Sequence, residues 1–390
     1  MTHLLLAVIY ITFISLGLPD ALLGAAWPTI YRQFEVPLSY AGAVSTIICV
    51  GTIVSSLNIE RISKRISTGK MTACSVALTA VGLFGFSTCR SFWQLCLWAI
   101  PYGLGAGGVD ATLNNYVALH YKSHHMSWLH CMWGIGAATG PYIMGWALAG
   151  GQQWNMGYRY IAIFQVVLTV FLFLSLPLWK GQKQLHHRVE APEKPLTFRE
   201  VFRIPGAKQI LVTFFCYCGL EQTAGLWAAS YLVLKGGMSA EAAASFAAMF
   251  YLGITVGRAI SGFLTFYLND ANMIRLGCGI IFLGVVAMFL PLGSVSALGG
   301  LMLVGLGCAP IYPCIIHSIP SLFGVERSQA IIGAQMASAY VGFCVMPPLF
   351  GLIANHISTA LLPVFLFVVL AVMTVMHEKL RKTAKENQME

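Results

Sequence analysis

Apolar residues run along this chain in long blocks, approximately 4–31, 38–59, 71–89, 92–118, 127–149, 159–179, 208–234, 241–267, 272–292, 296–319, 328–355 and 358–376. About twenty apolar residues in helical form cross the hydrocarbon core of a bilayer. The pattern therefore predicts an all-α membrane protein with twelve transmembrane helices and mostly short connections. The long connection is 180–207, which carries Lys180, Lys183, Arg188, Lys194, Arg199 and Arg203 beside Glu190, Glu193 and Glu200. It predicts a six-helix bundle over 1–179, a cytoplasmic linker over 180–207, a second six-helix bundle over 208–376 and a cytoplasmic tail over 377–390.

Composition supports the same class. Hydrophobic residues make up 57% of the 390 positions and charged residues 9%, against roughly 25% charged in soluble proteins. The net charge of +9 does not point to nucleic acid, because the basic residues sit in short loops rather than in a basic domain. Placing both termini in the cytoplasm puts eighteen of the 23 Lys and Arg residues on that side. Arg32, Arg90, Arg159 and Lys235 lie outside and Arg258 lies within a block. That is the positive-inside bias of a multi-pass protein of the cell (inner) membrane. The first block has no Lys or Arg before it and no convincing cleavage site, so it reads as a retained helix. The eleven cysteines are scattered without a CxxC pair, which suits small packing residues rather than a disulfide framework or a metal site.

The two halves repeat one another. A shift of about 202 positions lays Gly17-Leu18 on Gly219-Leu220, Gly51 on Gly253, and Gly103-Leu104-Gly105 on Gly305-Leu306-Gly307. A shift of about 206 lays Gly136, Pro141 and Gly145 on Gly342, Pro347 and Gly351. Two pseudo-symmetric bundles with a site near the midplane between them are expected.

Three acids stand apart from the loops: Asp20, Asp110 and Glu221. An acid at mid-bilayer costs roughly 2.5–3.5 kcal/mol on insertion scales. A group kept at that cost faces a water-filled path, carries a proton, or both; the plainer reading is that it bonds neighbouring helices together. Asp20 follows Gly17-Leu18-Pro19, which loosens the helix. Glu221 stands one position from the repeat equivalent of Asp20. Arg258 lies in Gly253-Ile-Thr-Val-Gly257-Arg258, where it either snorkels to the interface or partners an acid at a gate.

The segments around these residues resemble a known family. Gly-Leu-Gly-Ala-Gly-Gly-Val-Asp-Ala-Thr-Leu-Asn-Asn spans 103–115, Leu-His-Cys-Met-Trp-Gly-Ile-Gly-Ala spans 129–137 before Gly140-Pro141, and Tyr217-Cys-Gly219-Leu-Glu221 precedes Gly225-Leu-Trp227 and Tyr231. Together they resemble the fucose-permease-like sugar/proton symporters of the major facilitator superfamily. The resemblance implies the major facilitator fold, alternating access, and acids in the first and fourth helices tied to proton coupling and sugar binding, positions held here by Asp20 and Asp110. Ser56-Leu-Asn-Ile-Glu60-Arg61 is similar to the superfamily's Gly-x-x-x-Asp-Arg loop signature and implies a gating role for Glu60 and Arg61.

Several other signals have plainer readings. Gly103-x-Gly105-x-x-Gly108 matches a dinucleotide fingerprint but lies inside an apolar block with no strand before it, so close helix packing explains it better. His120, His124 and His125 read as a cytoplasmic loop, and neither a metal nor a cofactor is expected. Gly136-x-x-x-Gly140-Pro141-x-x-x-Gly145 resembles a helix motif of drug/proton antiporters, and a structural hinge also explains it. Sugar sites combine aromatic faces with amide and hydroxyl donors. The candidates are Trp27, Asn114, Asn115, His130, Trp133, Gln222, Trp227, Tyr312, His317 and Gln335; His130 reads equally well as a packed core histidine. The expected function is transport rather than catalysis: proton-coupled symport of a sugar or sugar-like polar solute, by a monomer. Proton-driven export of amphipathic compounds and a non-transporting receptor remain as alternatives.

Overall fold

The computed structural model describes residues 2–63, 66–121, 123–181 and 198–389, with some side chains inside those ranges, including 59–61, 123–124 and 385–389, outside the description. Sixteen α-helices run through the described residues. They are α1 (Thr2–Asp20), α2 (Leu22–Gln33), α3 (Tyr40–Ser63), α4 (Thr68–Thr88), α5 (Phe92–His120), α6 (Ser123–Ala149), α7 (Trp154–Leu174), α8 (Phe198–Val201), α9 (Ala207–Leu234), α10 (Ala240–Leu264), α11 (Asp270–Phe289), α12 (Ser294–Cys308), α13 (Ile311–His317), α14 (Ile319–Phe323), α15 (Val325–His356) and α16 (Leu362–Met389). They form twelve spans in two six-helix bundles. Helices α1 and α2 together make the first span, α12 and α13 the tenth.

Nine spans among the described residues are long and apolar enough to cross a membrane by composition alone. The other three are α5, α6 and α9, which carry Asp110 and Asn114, His130 and Trp133, and Glu221 and Gln222. These three spans, diluted by polar residues and glycine, carry much of the candidate site. Large apolar side chains such as Trp93, Phe266 and Leu174 lie on the outer face, where lipid rather than water is their solvent.

Two expected continuous helices are broken. The first span is interrupted at Ala21, directly after Pro19 and Asp20. Proline has no N–H to donate and crowds the preceding turn. The tenth span is split where Pro310 follows Ala309, and again before Pro320. Two expected loops are helical instead. His120 ends α5 and α6 starts at Ser123. Helix α16 continues through 377–389, where Glu378 accepts two hydrogen bonds from Arg275, at 2.6 and 2.5 Å. The buried Leu380 in the same stretch gives the helix an apolar reason to continue. Residues 182–197 of the expected linker lie outside the described residues.

The repeated glycines mark repeated helix crossings. A Cβ on Gly103 would lie 2.3 Å from the Ile48 carbonyl oxygen, and one on Gly305 2.0 Å from that of Phe250. Similarly, Gly136 packs on the Ile14 carbonyl and Gly342 on the Phe215 carbonyl. Each pair occupies corresponding crossings in the two bundles, where backbones meet without side chains between them. Gly103→Ala and Gly305→Ala are each expected to lower the melting temperature in detergent. The overlap is with backbone, so the cost is that of overpacking, about 1–3 kcal/mol. A melting curve of either variant superimposing on the parent would contradict this account of the crossings.

The bundles meet mainly on the side away from the chain termini. There Gly24 abuts the Leu226 backbone, Gly42 abuts Pro348, and Gly145 abuts Ser245. The Thr46 hydroxyl donates to the Cys344 carbonyl across the α3–α15 contact, at 3.1 Å. No comparable packing joins α5 to α12 or α13 toward the terminal side among the described residues. Among the described residues the bundles are thus packed together on the far side and apart toward the termini.

Candidate functional site

The helix break at Ala21 leaves Asp20 as the last residue of α1, in the middle of the first span. Its carboxylate accepts from the Tyr102 hydroxyl of α5 at 2.9 Å and from the Trp133 indole N–H of α6 at 2.7 Å. Asp20 is nevertheless exposed. Because both partners point inward from neighbouring spans, the surface it shows belongs to the space between the bundles.

Asp110 lies on α5, within electrostatic reach of Asp20. Asn114, one turn later, donates its amide to the Asp110 carboxylate at 2.9 Å and to its carbonyl at 3.0 Å. Tyr312 and Tyr340 of the opposite bundle lie within reach of the same carboxylate. Glu221 on α9 accepts a short hydrogen bond from the Tyr217 hydroxyl four residues earlier. Among the described residues none of the three acids forms an ion pair. Neutral hydroxyl, indole and amide donors hold them instead.

Arg258 does not snorkel. Its guanidinium lies over the Trp133 ring, 5.2 Å from the centroid, and its Nη1 is buried without a partner among the described residues. Cation–π contacts contribute about 0.5–2 kcal/mol, more when desolvated. Trp133 thus joins the bundles: its N–H faces Asp20 on α1 and its face supports Arg258 on α10. His130, one turn before Trp133, meets Phe13 edge-on at 6.0 Å and lies within the field of Arg258. Tyr312 packs on Phe214 and Tyr217, with centroids 5.1 and 6.2 Å away.

Other expected site residues lie elsewhere. Trp27 and Trp227 are fully buried, and their indoles donate to the carbonyls of Leu38 and Pro347 at 2.8 and 3.0 Å. They pack the closed far side and do not line the open space. His317 is exposed. The break in the tenth span puts it at the end of α13 with its side chain 82% exposed, where Nδ1 meets Asp270 at 2.8 Å. Asn115 is exposed, one residue round the helix from Asn114, while Gln222 is half-buried beside Glu221. Gln335 is fully buried with both amide atoms unpartnered among the described residues. The side chains of Glu60 and Arg61 lie outside the described residues. Three tyrosines were missed. Tyr217 was findable, since it stands one turn before Glu221 on the same face. Tyr102 and Tyr251 carried no local signal, because their partners come from distant spans; Tyr251 meets the Trp133 ring at 6.4 Å.

Comparison with known proteins agrees with this architecture. The sequence profile described as Major Facilitator Superfamily matches residues 9–302. The chain belongs to the Major Facilitator Superfamily. "Bypass of stop codon protein 6" of Saccharomyces cerevisiae is 24% identical, over 93% of this chain and 80% of its own length. The glucose/mannose transporter GlcP of Bacillus subtilis is 23% identical, over 97% of this chain and 95% of its own. Among solved structures, a bacterial homolog of the human lysosomal transporter Spinster, inward-facing and unoccupied, superimposes with a TM-score of 0.76 at 13% identity, covering 97% of each chain. This superfamily member is a membrane-spanning transporter of small solutes, not an enzyme.

Proposed function

We propose that the protein is a proton-coupled symporter of a sugar or sugar-like polar solute, working by alternating access in the cell membrane. The observation that carries this reading is the holding of Asp20 and Asp110 by neutral donors in the space between the bundles. Among the described residues neither carboxylate has a cation to lose, so each can take and release a proton without breaking an ion pair. Trp133 and Tyr312 supply aromatic faces and Asn114 and Gln222 supply amides, the mixture that suits a polyhydroxylated solute. The likeness to a glucose/mannose transporter favours the same class.

In this reading the halves 1–179 and 208–376 of a monomer rock about the central space. The excess of Lys and Arg on the terminal side supports cytoplasmic termini, and with that orientation the described state is inward-facing. Glu221 is a further proton site beside Asp20 and Asp110, and Glu60 with Arg61 gates the cytoplasmic side.

The test is uptake of labelled glucose and mannose into proteoliposomes. A one-to-one symporter supports about tenfold accumulation for each pH unit of gradient, since both correspond to about 1.4 kcal/mol. Uptake that follows a sodium gradient and ignores pH would refute proton coupling. Proton-driven expulsion of hydrophobic cations with no sugar uptake would replace symport by export.

A further inference from the structure

The central polar groups differ in how well they are satisfied. Asp20 accepts two hydrogen bonds, Asp110 accepts one from Asn114, and Glu221 accepts one from Tyr217. Arg258 has the Trp133 face on one side, yet its Nη1 is sealed from solvent with no acceptor among the described residues. An arginine stays charged at any physiological pH; Arg258 is half-buried, and leaving its enclosed Nη1 without an acceptor is costly. The acids supply no such partner: none stands within ion-pair distance of Arg258 among the described residues. His130, Tyr217 and Tyr312 lie within electrostatic range of its charge. These groups come from both bundles, at the depth where a solute would bind.

We propose that Arg258 binds a carboxylate on the transported solute, which makes the substrate a sugar acid rather than a neutral sugar. This rests on the sugar-symport reading and narrows it. A guanidinium presents a planar fork of donors that matches a carboxylate, and such charge-assisted pairs are about twice as strong as neutral hydrogen bonds. Stacking on Trp133 fixes the plane of the fork before the solute arrives, so little freedom is lost on binding. Tyr312 and Asn114, both half-buried, then face the hydroxyls. A proton taken up by Asp20 or Asp110 removes a carboxylate that would compete with the anion for the cation.

The test compares D-glucuronate with D-glucose in binding titrations of the purified full-length protein, read by tryptophan fluorescence, in the parent, Arg258→Gln and Arg258→Lys. The parent is expected to bind glucuronate at least tenfold more tightly than glucose. Arg258→Gln should bring the two within about threefold while still binding glucose, and Arg258→Lys, which keeps the charge but not the fork, should fall between them. Equal affinities in the parent, or a preference that survives Arg258→Gln, would overturn the inference and leave sugar symport standing. Should Arg258→Gln fail to fold, the parent ratio and Arg258→Lys decide. Binding of neither sugar, with no pH-driven uptake of either, would overturn both readings.

Discussion

Leucine at Gly24 or Gly145 is expected to hold the far side open, stopping turnover while leaving solute binding intact. A Cβ at Gly24 would lie 2.7 Å from the Leu226 carbonyl oxygen, which is backbone and cannot rotate away. A Cβ at Gly145 would lie 1.9 Å from the Ser245 hydroxyl, with the Glu241 carbonyl and the Ser245 amide 2.9 Å away behind it. Both contacts exist only because the bundles meet on that side. The overlap therefore penalises the closed state and spares the opened one. Moving a two-state equilibrium from 1:99 to 99:1 takes about 5.5 kcal/mol, and a leucine driven into facing backbone supplies a large part of that. Uptake in proteoliposomes is expected to fall by about a hundredfold, with solute binding in detergent changed by less than threefold. Normal turnover in Gly24→Leu would show that the far-side contact is not part of the transport cycle.

The second large effect concerns the acids. Asparagine at position 20 keeps one oxygen to accept from Tyr102 or Trp133, and asparagine at 110 keeps one for Asn114. Local geometry is therefore nearly preserved, while the capacity to bind a proton is removed. The double variant Asp20→Asn with Asp110→Asn is expected to exchange solute down its gradient at a rate near that of the parent. Its accumulation ratio should drop from about ten per pH unit to one. Loss of exchange as well would mean that the carboxylates bind solute rather than carry protons.

Much of this was legible in the sequence because the bilayer imposes simple rules. Block length fixed the twelve spans, and the repeated glycines marked the crossings where Gly103 meets Ile48 and Gly305 meets Phe250. The three acids stood out for lack of other charges nearby. What stayed hidden depends on contacts between distant spans. No local pattern announces that Tyr102 reaches Asp20 across 82 positions, or that Trp133 of one bundle supports Arg258 of the other. Trp27 and Trp227 looked like sugar-stacking residues by type, but tight packing of the closed side claims them. His317 ends α13 after the break at Pro310, with its side chain exposed beside Asp270, which no local pattern announces.

The central claim is that Asp20 and Asp110 take up protons as the solute moves. Its most direct test is the pH outside lightly buffered proteoliposomes when saturating solute is added without any imposed gradient. The parent is predicted to turn the outside alkaline, with about one proton consumed per solute entering, and the double asparagine variant is predicted to let solute enter with no pH change. A full alkaline shift in the double variant would contradict the account.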